Sequence, residues 1–208
     1  MYILEKDGTN CMNDLIQTID CVTKEEIDTI KDYIQEEWWQ PTTIFGMSGS
    51  EVNTDVRSND RISLHDTSIA AEIIHAGMNR ALLTYRDQLY NVDPYFTNFP
   101  VPGSWRTNCW REGIQLLRYK EGQYYNWHHD TAADINVNEY NRTISVVLYL
   151  SDDFEGGRTV FPHRAYKPKA GQALIFPSNW CFPHKCEPIT KGEKLASVSW
   201  YYTRYNFD

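Results

Sequence analysis

Apolar side chains recur at helical spacing in two stretches of the first half of the chain. The stretch "TKEEIDTIKDYIQEEWW" begins with Thr23 and Glu26 at capping-box spacing and continues with apolar residues every three or four positions as far as Trp38. A second apolar stripe runs from about Ser68 to Leu89. These patterns predict two amphipathic helices.

The segment between the two helical patterns is rich in Gly, Ser, Asn and Asp. It reads "IFGMSGSEVNTDVRSNDRIS" and contains no sustained apolar period. Such residues favour turns, because they tolerate unusual backbone angles or bond to their own backbone. We therefore expect a mobile loop with one short strand.

From Gly113 onwards the chain changes to short runs of strand-forming residues. The runs are "GIQLLRY", "RTISVVLYL", "RTVFP", "QALIFP" and "LASVSWYYTRY", separated by turn-rich pieces such as "SDDFEGG". Helices first and strands afterwards predict an α+β protein, mainly β with N-terminal helices that brace a sheet sandwich. Residues 1–208 are expected to form one domain, with mainly helical support and a lid loop in 1–112 and the β core in 113–208.

Composition and charge exclude several classes of function. The chain of 208 residues has a formal net charge of -8, so it lacks the concentrated positive charge that nucleic-acid binding requires. No apolar run approaches the roughly 20 residues that span a bilayer, and the first residues do not read as a signal peptide. An odd number of scattered cysteines, five, does not suggest a disulfide framework. We expect a soluble cytoplasmic protein that binds neither nucleic acid nor membrane.

The stretch "YKEGQYYNWHHD" places two histidines and an acid together. In an extended segment, His128 and Asp130 project from the same face, whereas His129 projects from the other. A second imidazole could come from His163 or His184, each next to a predicted strand. Two histidines and one carboxylate form the facial triad of non-haem Fe(II) oxygenases, whereas zinc prefers further His or Cys ligands.

Lys194 stands at the start of the last predicted strand. Alternation would place it on the same face as Ala196, Val198 and Trp200. A lysine that points inward beside apolar side chains needs an anion to compensate its burial. The alternative is a lysine at the strand end with its ammonium in water.

Four motifs in order resemble the prolyl 4-hydroxylase branch of the Fe(II)/2-oxoglutarate dioxygenases. Tyr119, Gly122, Tyr125, His128 and Asp130 match Y-x-x-G-x-x-Y-x-x-H-x-D. The segment "RTISVVLYLSDDFEGGRTVFP" resembles that branch's R-x-(T/V)…Y-L-N…G-G-E-T-x-F-P, and "KPKAGQALIFP" its P-x-x-G-x-A-L-x-F strand. The ending "HKCEPITKGEKLASVSW" is similar to H-x-x-x-P-V-x-x-G-x-K…W.

The resemblance implies a double-stranded β-helix, a jelly-roll variant with the metal inside its open end. It implies Fe(II) as the metal, 2-oxoglutarate and O2 as co-substrates, and ascorbate as a reductant. The residues it assigns are His128, Asp130 and His184 for the metal; Lys194, Tyr119 and Thr159 for 2-oxoglutarate; and Tyr125, Arg142 and Trp200 for the substrate.

The chain departs from the family pattern at three positions. Arg158 stands in place of the acid of G-G-E-T, and Ser151 in place of the Asn of Y-L-N. Both are expected to affect surface charge and the turn. Tyr202 stands where similar prolyl hydroxylases carry a histidine, and this leaves proline specificity open.

Three functional hypotheses follow. The first is hydroxylation of a C–H bond in a peptide or protein substrate, with peptidyl proline the leading candidate and succinate and CO2 as products. The second keeps that chemistry for a free amino acid or another small molecule, with Gly46–Ser58 and "TAADINVNEYN" as lids. The third is a non-catalytic jelly-roll binding protein.

Some conspicuous residues receive a structural interpretation. Cys181 and Cys186 flank His184, but no fourth ligand lies nearby in the sequence, so buried or idle thiols are favoured over zinc. Trp38 and Trp39 are expected to pack against the first helix.

Overall fold

A computed structural model describes residues 11–35, 38–46, 49–102, 109–131 and 140–204. The expected lid "TAADINVNEYN" lies outside the described residues at 132–139, and the expected lid in 46–58 lies outside them at 47–48.

Both predicted helices are present and begin at a serine or threonine cap. Thr23 Oγ1 accepts from the backbone N–H of Glu26 at 3.2 Å, and the Glu26 carboxylate accepts from the backbone N–H of Thr23 at 2.8 Å. This confirms the capping box. None of the helices in the described ranges is long and apolar enough to cross a membrane. The helices are α1 (Cys11–Asp14), α2 (Lys24–Ile34) and α3 (Ile69–Val92), followed by a short 3-10 helix (Pro94–Thr97).

The first helix ends earlier than its apolar pattern predicts. The last residue of α2 is Ile34, and Trp38 is 81% exposed, so the prediction that Trp38 packs against the helix is wrong. Trp39 is half-buried and lies under the guanidinium of Arg118, 4.4 Å from its ring centroid. Because Trp39 packs against a sheet residue, the chain follows the sheet edge at this point instead of extending the helix.

Sixteen strands, all paired antiparallel where they form ladders, make up the rest of the described fold. The first eight are β1 (Gln17–Asp20), β2 (Gln40–Pro41), β3 (Ile44–Gly46), β4 (Gly49–Glu51), β5 (Asp60–Ser63), β6 (Cys109–Arg111), β7 (Gln115–Tyr119) and β8 (Tyr125–His128). The last eight are β9 (Tyr140–Tyr149), β10 (Glu155–Gly156), β11 (Thr159–Phe161), β12 (Arg164–Tyr166), β13 (Gln172–Pro177), β14 (His184–Cys186), β15 (Ile189–Lys191) and β16 (Lys194–Arg204).

The strands form a large sheet and a small sheet. The large sheet has the order β1-β13-β9-β16-β7-β5-β2, with β6 paired to β16. The small sheet has the order β12-β11-β14-β8, and β3-β4 and β10-β15 are separate two-stranded pairs. The segment expected to hold one short strand therefore contributes a hairpin, β3-β4, and also β5 of the large sheet.

Alternation along the large sheet separates two cores. On β16, Leu195 and Tyr201 pack with the helices, whereas Val198 and Trp200 pack with the small sheet. The predicted face of Lys194, Ala196, Val198 and Trp200 is confirmed, since all four are buried and line one cavity. The helices thus cover one face of the large sheet, and the other face forms a cavity wall.

Candidate metal site and its cavity

His128, Asp130 and His184 converge at the small sheet. His128 ends β8, and its Cα pairs with that of His184 at the start of β14. The Asp130 carboxylate lies 3.5 Å from His128 Nε2 through Oδ1 and 3.8 Å from His184 Nε2 through Oδ2. The ligand atoms of the three residues all lie within 4.8 Å of one another. Two imidazoles and one carboxylate fit Fe(II), and the nitrogen and oxygen donors that would bind it already face one point.

Backbone carbonyls orient both imidazoles. His128 Nδ1 lies 2.8 Å from the carbonyl of Asn126, and His184 Nδ1 lies 3.2 Å from that of Phe182. A carbonyl only accepts, so each Nδ1 carries the proton and each Nε2 presents its lone pair to the centre. Burial lowers the pKa of His184 to about 4, which keeps this ring neutral and able to bind a metal at neutral pH.

The carboxylate of Asp130 is held as an anion in a buried position. Burial raises its pKa, but the electrostatic interactions with His184 and His128 and the hydrogen bond from Ser145 outweigh burial, so the pKa lies well below its usual range. Ser145 Oγ donates to Asp130 Oδ2 at 2.7 Å. Asp130 is therefore ionised at neutral pH, the state in which a carboxylate can bind a metal.

The other candidate ligands lie apart from this cluster. His163 is exposed in the turn between β11 and β12, so the second imidazole is His184. His129 is exposed, in agreement with its opposite parity. Cys181 belongs to no metal-binding cluster of the described residues, and neither does Cys186. Both thiols are free, but Cys186 is buried and lines the cavity, so it is not idle.

A cavity of about 710 Å³ is lined by His128, Asp130 and His184 and also by Lys194. The Lys194 side chain is 2% exposed, and its Nζ donates to the carbonyl of Gly157 at 2.9 Å and to Cys186 Sγ at 3.3 Å. Burial lowers the pKa of the ammonium, but the thiol of Cys186 and the phenols of Tyr149 and Tyr119 outweigh burial and raise it above its usual value. No carboxylate of a described residue lies within 4.0 Å of this cation. A buried ammonium without an acidic partner fits the carboxylate of an organic acid.

Tyr119 and Thr159 lie beside Lys194, where the resemblance places them. Tyr119 pairs with Lys194 across β7 and β16, and its ring centroid is 5.4 Å from the lysine Nζ. Thr159 Oγ1 lies 2.6 Å from the hydroxyl of Tyr149, whose ring centroid is 4.7 Å from the same Nζ. Hydroxyl groups and one cation thus surround the inner end of the cavity.

Tyr125, Arg142 and Trp200 line the cavity nearer the metal ligands. The Tyr125 ring stacks on His128 with a centroid distance of 3.6 Å. Arg142 binds both carboxylate oxygens of Glu112, at 2.5 and 2.7 Å, and its guanidinium lies 3.6 Å from the Trp200 ring centroid. Trp200 Nε1 is buried without a hydrogen-bond partner among the described residues. That N–H is an available donor for a bound molecule.

The sequence reasoning did not identify five residues of this site. Arg57 lies 4.4 Å over the Tyr125 ring, and Glu112 holds Arg142. Ser145 supports Asp130, while Cys186 and Tyr149 contact the Lys194 ammonium. Side chains two residues apart on a strand share a face, so Cys186 could have been predicted from His184. In the same way, Tyr149 could have been predicted from Val147, which lines the cavity. Arg57 and Glu112 lie in loops or at strand ends, where periodicity gives no signal.

Residues 114–202 match the family model described as the 2OG-Fe(II) oxygenase superfamily. The matched segment includes all nine residues that the resemblance assigns to the site. This segment of the chain is therefore similar to members of the 2OG-Fe(II) oxygenase superfamily. Its likeness is to the prolyl 4-hydroxylase-like members, which confirms the family expected from the four motifs.

Individual relatives agree with this assignment. The chain is 37% identical over 110 residues to a putative prolyl 4-hydroxylase of Acanthamoeba polyphaga mimivirus, a match that covers 45% of this chain and 46% of the relative. The chain thus spans less than half the length of that curated relative.

Solved structures extend the likeness to the whole described fold. The viral collagen prolyl hydroxylase vCPH from Paramecium Bursaria Chlorella virus-1, in its 2OG complex, superposes with a TM-score of 0.64 at 20% identity over 94% of this chain and 99% of that chain. A prolyl hydroxylase from Trichoplax adhaerens, in complex with a hypoxia inducible factor peptide fragment, gives a TM-score of 0.62 at 18% identity over 93% of this chain and 86% of that chain. The expected double-stranded β-helix braced by helices is confirmed.

Proposed function

We propose that this protein is an Fe(II)- and 2-oxoglutarate-dependent dioxygenase that hydroxylates a C–H bond, with a peptidyl proline as the leading substrate. One observation carries the proposal: a buried cation without an acidic partner, Lys194, shares a cavity with a His-Asp-His cluster. A metal site alone would fit many functions. The combination fits a metal together with a dicarboxylate that reaches from the metal to the ammonium.

In this proposal His128, Asp130 and His184 hold Fe(II), with the two Nε2 atoms and one carboxylate oxygen as donors. The metal with 2-oxoglutarate and O2 would supply oxidative decarboxylation to succinate and CO2, coupled to hydroxylation of the substrate. The chain itself orients the two reactants and keeps water out, and ascorbate serves as an external reductant. The apolar side chains of Leu117, Val147 and Val198 support this role, since they line the same cavity as the metal-ligand cluster and Lys194.

Lys194 would pair with the distal carboxylate of 2-oxoglutarate, and the hydroxyls of Tyr119 and Thr159 would add hydrogen bonds. The Lys194 ammonium already donates to Gly157 and Cys186, so it is held in place before the ligand arrives. Because an ammonium has three donors, one remains for the carboxylate.

Tyr125, Arg142 and Trp200 would contact the substrate. The paired Arg142 guanidinium and Trp200 ring form a flat wall next to the metal ligands, with the indole N–H as a free donor. A peptide offers the matching backbone carbonyl acceptors. The names of the similar mimivirus and Chlorella virus proteins, and the peptide bound to the similar Trichoplax enzyme, support a prolyl peptide as the substrate class.

The domain organisation and the compartment stay proposals. A single domain over 1–208, with support in 1–112 and the core in 113–208, is supported by one apolar cluster that joins α2 and α3 to the large sheet. A cytoplasmic location is supported by the free thiols of Cys21, Cys109, Cys181 and Cys186, because thiols stay reduced in that compartment.

A free amino acid or related acid is the second candidate, and Arg57 favours it. This residue is 8% exposed, lines the cavity, and has no carboxylate of a described residue within 4.0 Å. Its Nε donates to Asn59 Oδ1 at 2.6 Å, and its guanidinium also contacts Tyr125 beside the metal-ligand cluster. A substrate carboxylate would supply the acidic partner that this buried cation lacks among the described residues.

The test is succinate formation from 2-oxoglutarate by anaerobically purified protein supplied with Fe(II), O2 and ascorbate. Three arms contain a proline-rich peptide, free L-proline, or no addition, and His128→Ala is the matched inactive variant. We expect succinate that the peptide stimulates and that the variant does not form. Mass spectrometry should find one added oxygen on the peptide for each succinate above the background.

Each arm has a distinct meaning. Stimulation by free proline alone would favour the small-molecule candidate, and the search would then centre on Arg57. Absence of succinate in every arm from folded protein that has been shown to bind iron would contradict the oxygenase proposal and favour a non-catalytic jelly-roll binding protein.

A further inference from the structure

Asp130 occupies a special place among the three proposed metal ligands. His128 and His184 both belong to the small sheet, on β8 and β14. Asp130 lies beyond the end of β8 and contacts the large sheet, where Ser145 Oγ donates to its Oδ2 at 2.7 Å. Its backbone carbonyl also accepts from Arg142 Nη1 at 3.3 Å. The third ligand is thus fixed from the opposite wall of the cavity.

Ser145 lies deep inside the large sheet. It is fully buried on β9, with Phe176 of β13 and Trp200 of β16 as its register partners. A polar side chain at such a position needs partners, and it has two: Asp130 and the hydroxyl of Ser178 at 2.8 Å. Ser178 is 1% exposed and its backbone N–H donates to the carbonyl of Thr143 at 3.0 Å, which fixes it to β9.

The number of protons decides the direction of these hydrogen bonds. A carboxylate that binds a metal only accepts, so the single hydroxyl proton of Ser145 goes to Asp130. Ser145 then has only lone pairs to offer Ser178, and Ser178 must be the donor in the second bond. The result is a one-way series of hydrogen bonds from Ser178, directly after β13, to Ser145 on β9 and on to Asp130 Oδ2.

This series of hydrogen bonds fixes the rotation of the Asp130 carboxylate. With Oδ2 bound by Ser145, Oδ1 points to His128, 3.5 Å from its Nε2. Without the hydroxyl, the carboxylate could turn about its Cβ–Cγ bond and present the metal with a different oxygen. Partners of metal ligands that act in this way typically change metal affinity by about 10- to 100-fold.

We propose that Ser145 is a positioning residue for the metal, and that Ser178 assists it by orienting its hydroxyl. The inference rests on the proposed function, because it takes Asp130 as a ligand of Fe(II). It adds a role for two buried serines, one on β9 and one directly after β13, that are not among the site residues assigned by the resemblance.

The test measures metal binding directly and needs no turnover. Metal-free wild-type protein, Ser145→Ala, Ser145→Thr and Ser178→Ala are titrated with Co(II), followed by calorimetry and visible absorption. We expect about 10- to 100-fold weaker binding for Ser145→Ala, a smaller loss for Ser178→Ala, and recovery to near wild type for Ser145→Thr, which keeps the hydroxyl.

Ser197→Ala is the matched control. Ser197 is also fully buried in the large sheet, on β16, but its hydroxyl has no partner among the described residues. Its loss should leave Co(II) affinity unchanged. The thermal midpoint of each metal-free variant shows whether the fold is intact. If Ser145→Ala does not fold, the Co(II) affinities of Ser145→Thr and Ser178→Ala are compared with wild type instead.

Two outcomes would overturn the inference while sparing the proposed function. One is Co(II) affinity of Ser145→Ala within about twofold of wild type, below the 10-fold lower limit expected. The other is weakening in Ser145→Thr as large as in Ser145→Ala, which would mean that volume and not the hydroxyl matters. If wild-type protein binds no metal, the proposed function and this inference fail together.

Discussion

The two sheets that enclose the cavity contribute different chemistry. The small sheet, with strands of three or four residues, supplies the two imidazoles through the direct pairing of His128 with His184. The large sheet supplies Lys194, Trp200 and Ser145 from longer strands that pair across distant parts of the chain. Under the proposed function, this difference predicts a division of tasks: the small sheet would hold the metal, and the large sheet would hold the organic reactants and support the third ligand.

The largest effect on metal binding is expected when an imidazole is removed from the small sheet. His184→Ala should abolish turnover and weaken metal binding by more than about 100-fold, beyond the range typical of residues that only support a ligand. The measurement is a Co(II) titration beside the succinate assay.

His163→Ala is the control for this variant, since His163 is exposed and lies outside the cluster. It should behave as wild type in both assays. Metal affinity that survives in His184→Ala would place the metal elsewhere and would contradict the ligand set.

A change at Lys194 of the large sheet should weaken the use of 2-oxoglutarate and leave metal binding intact. Lys194→Ala removes the buried cation, and truncation of one partner of a buried charge pair costs about 2–5 kcal/mol, which corresponds to a rise of about 30-fold or more in the KM for 2-oxoglutarate. Metal affinity should stay near wild type. Steady-state kinetics at varied 2-oxoglutarate, together with the Co(II) titration, separates the two effects.

Lys191→Ala is a matched control for Lys194→Ala. Lys191 ends β15, three residues before Lys194, but its side chain is 74% exposed and pairs with Glu155 at the surface. An unchanged KM in Lys194→Ala, or a loss of metal affinity equal to that of His184→Ala, would contradict the division between the sheets.

Trp200→Phe sharpens the comparison within the large sheet. The change keeps an aromatic surface under Arg142 but removes the buried indole N–H that has no partner among the described residues. One hydrogen bond contributes about 0.5–1.5 kcal/mol, so the KM for the peptide should rise by up to about tenfold while the KM for 2-oxoglutarate stays constant.

Trp180→Phe serves as the control, because Trp180 is 75% exposed. If Trp200→Phe raised the KM for 2-oxoglutarate and left that for the peptide unchanged, Trp200 would belong to the co-substrate end of the cavity.

The same division explains which parts of the site could be predicted from the sequence. His128 and Asp130 follow from local parity on one strand, and Lys194 follows from parity on another. Ser145 and Glu112 meet their partners only through pairing registers between strands far apart in the chain, which no local pattern encodes. The helix starts were predictable because caps are local, whereas the end of α2 depends on where Trp39 packs.

The smallest expected effect concerns Arg158, where the chain departs from the family's acidic residue. Arg158 donates to both carboxylate oxygens of Glu187, at 2.7 and 2.9 Å, on the outside of the small sheet, and joins β11 to the strand that begins with His184. Hydrogen bonds from Arg158 lower the pKa of Glu187. A carboxyl whose pKa is lowered by folding adds stability above its ordinary pKa, and that stability is lost as the pH falls through the lowered value.

Arg158→Gln should therefore lower the thermal midpoint slightly at pH 7, because exposed ion pairs contribute little. The difference from wild type should shrink as the pH falls below about 4.5, the ordinary pKa of glutamate. Glu187→Gln should show the same loss at pH 7, and the double variant should add little to either single change. Metal affinity and turnover should not change, because the pair lies on the outer surface. A Co(II) affinity weakened as much as in Ser145→Ala would instead mean that the outer surface of the small sheet helps to set the position of His184.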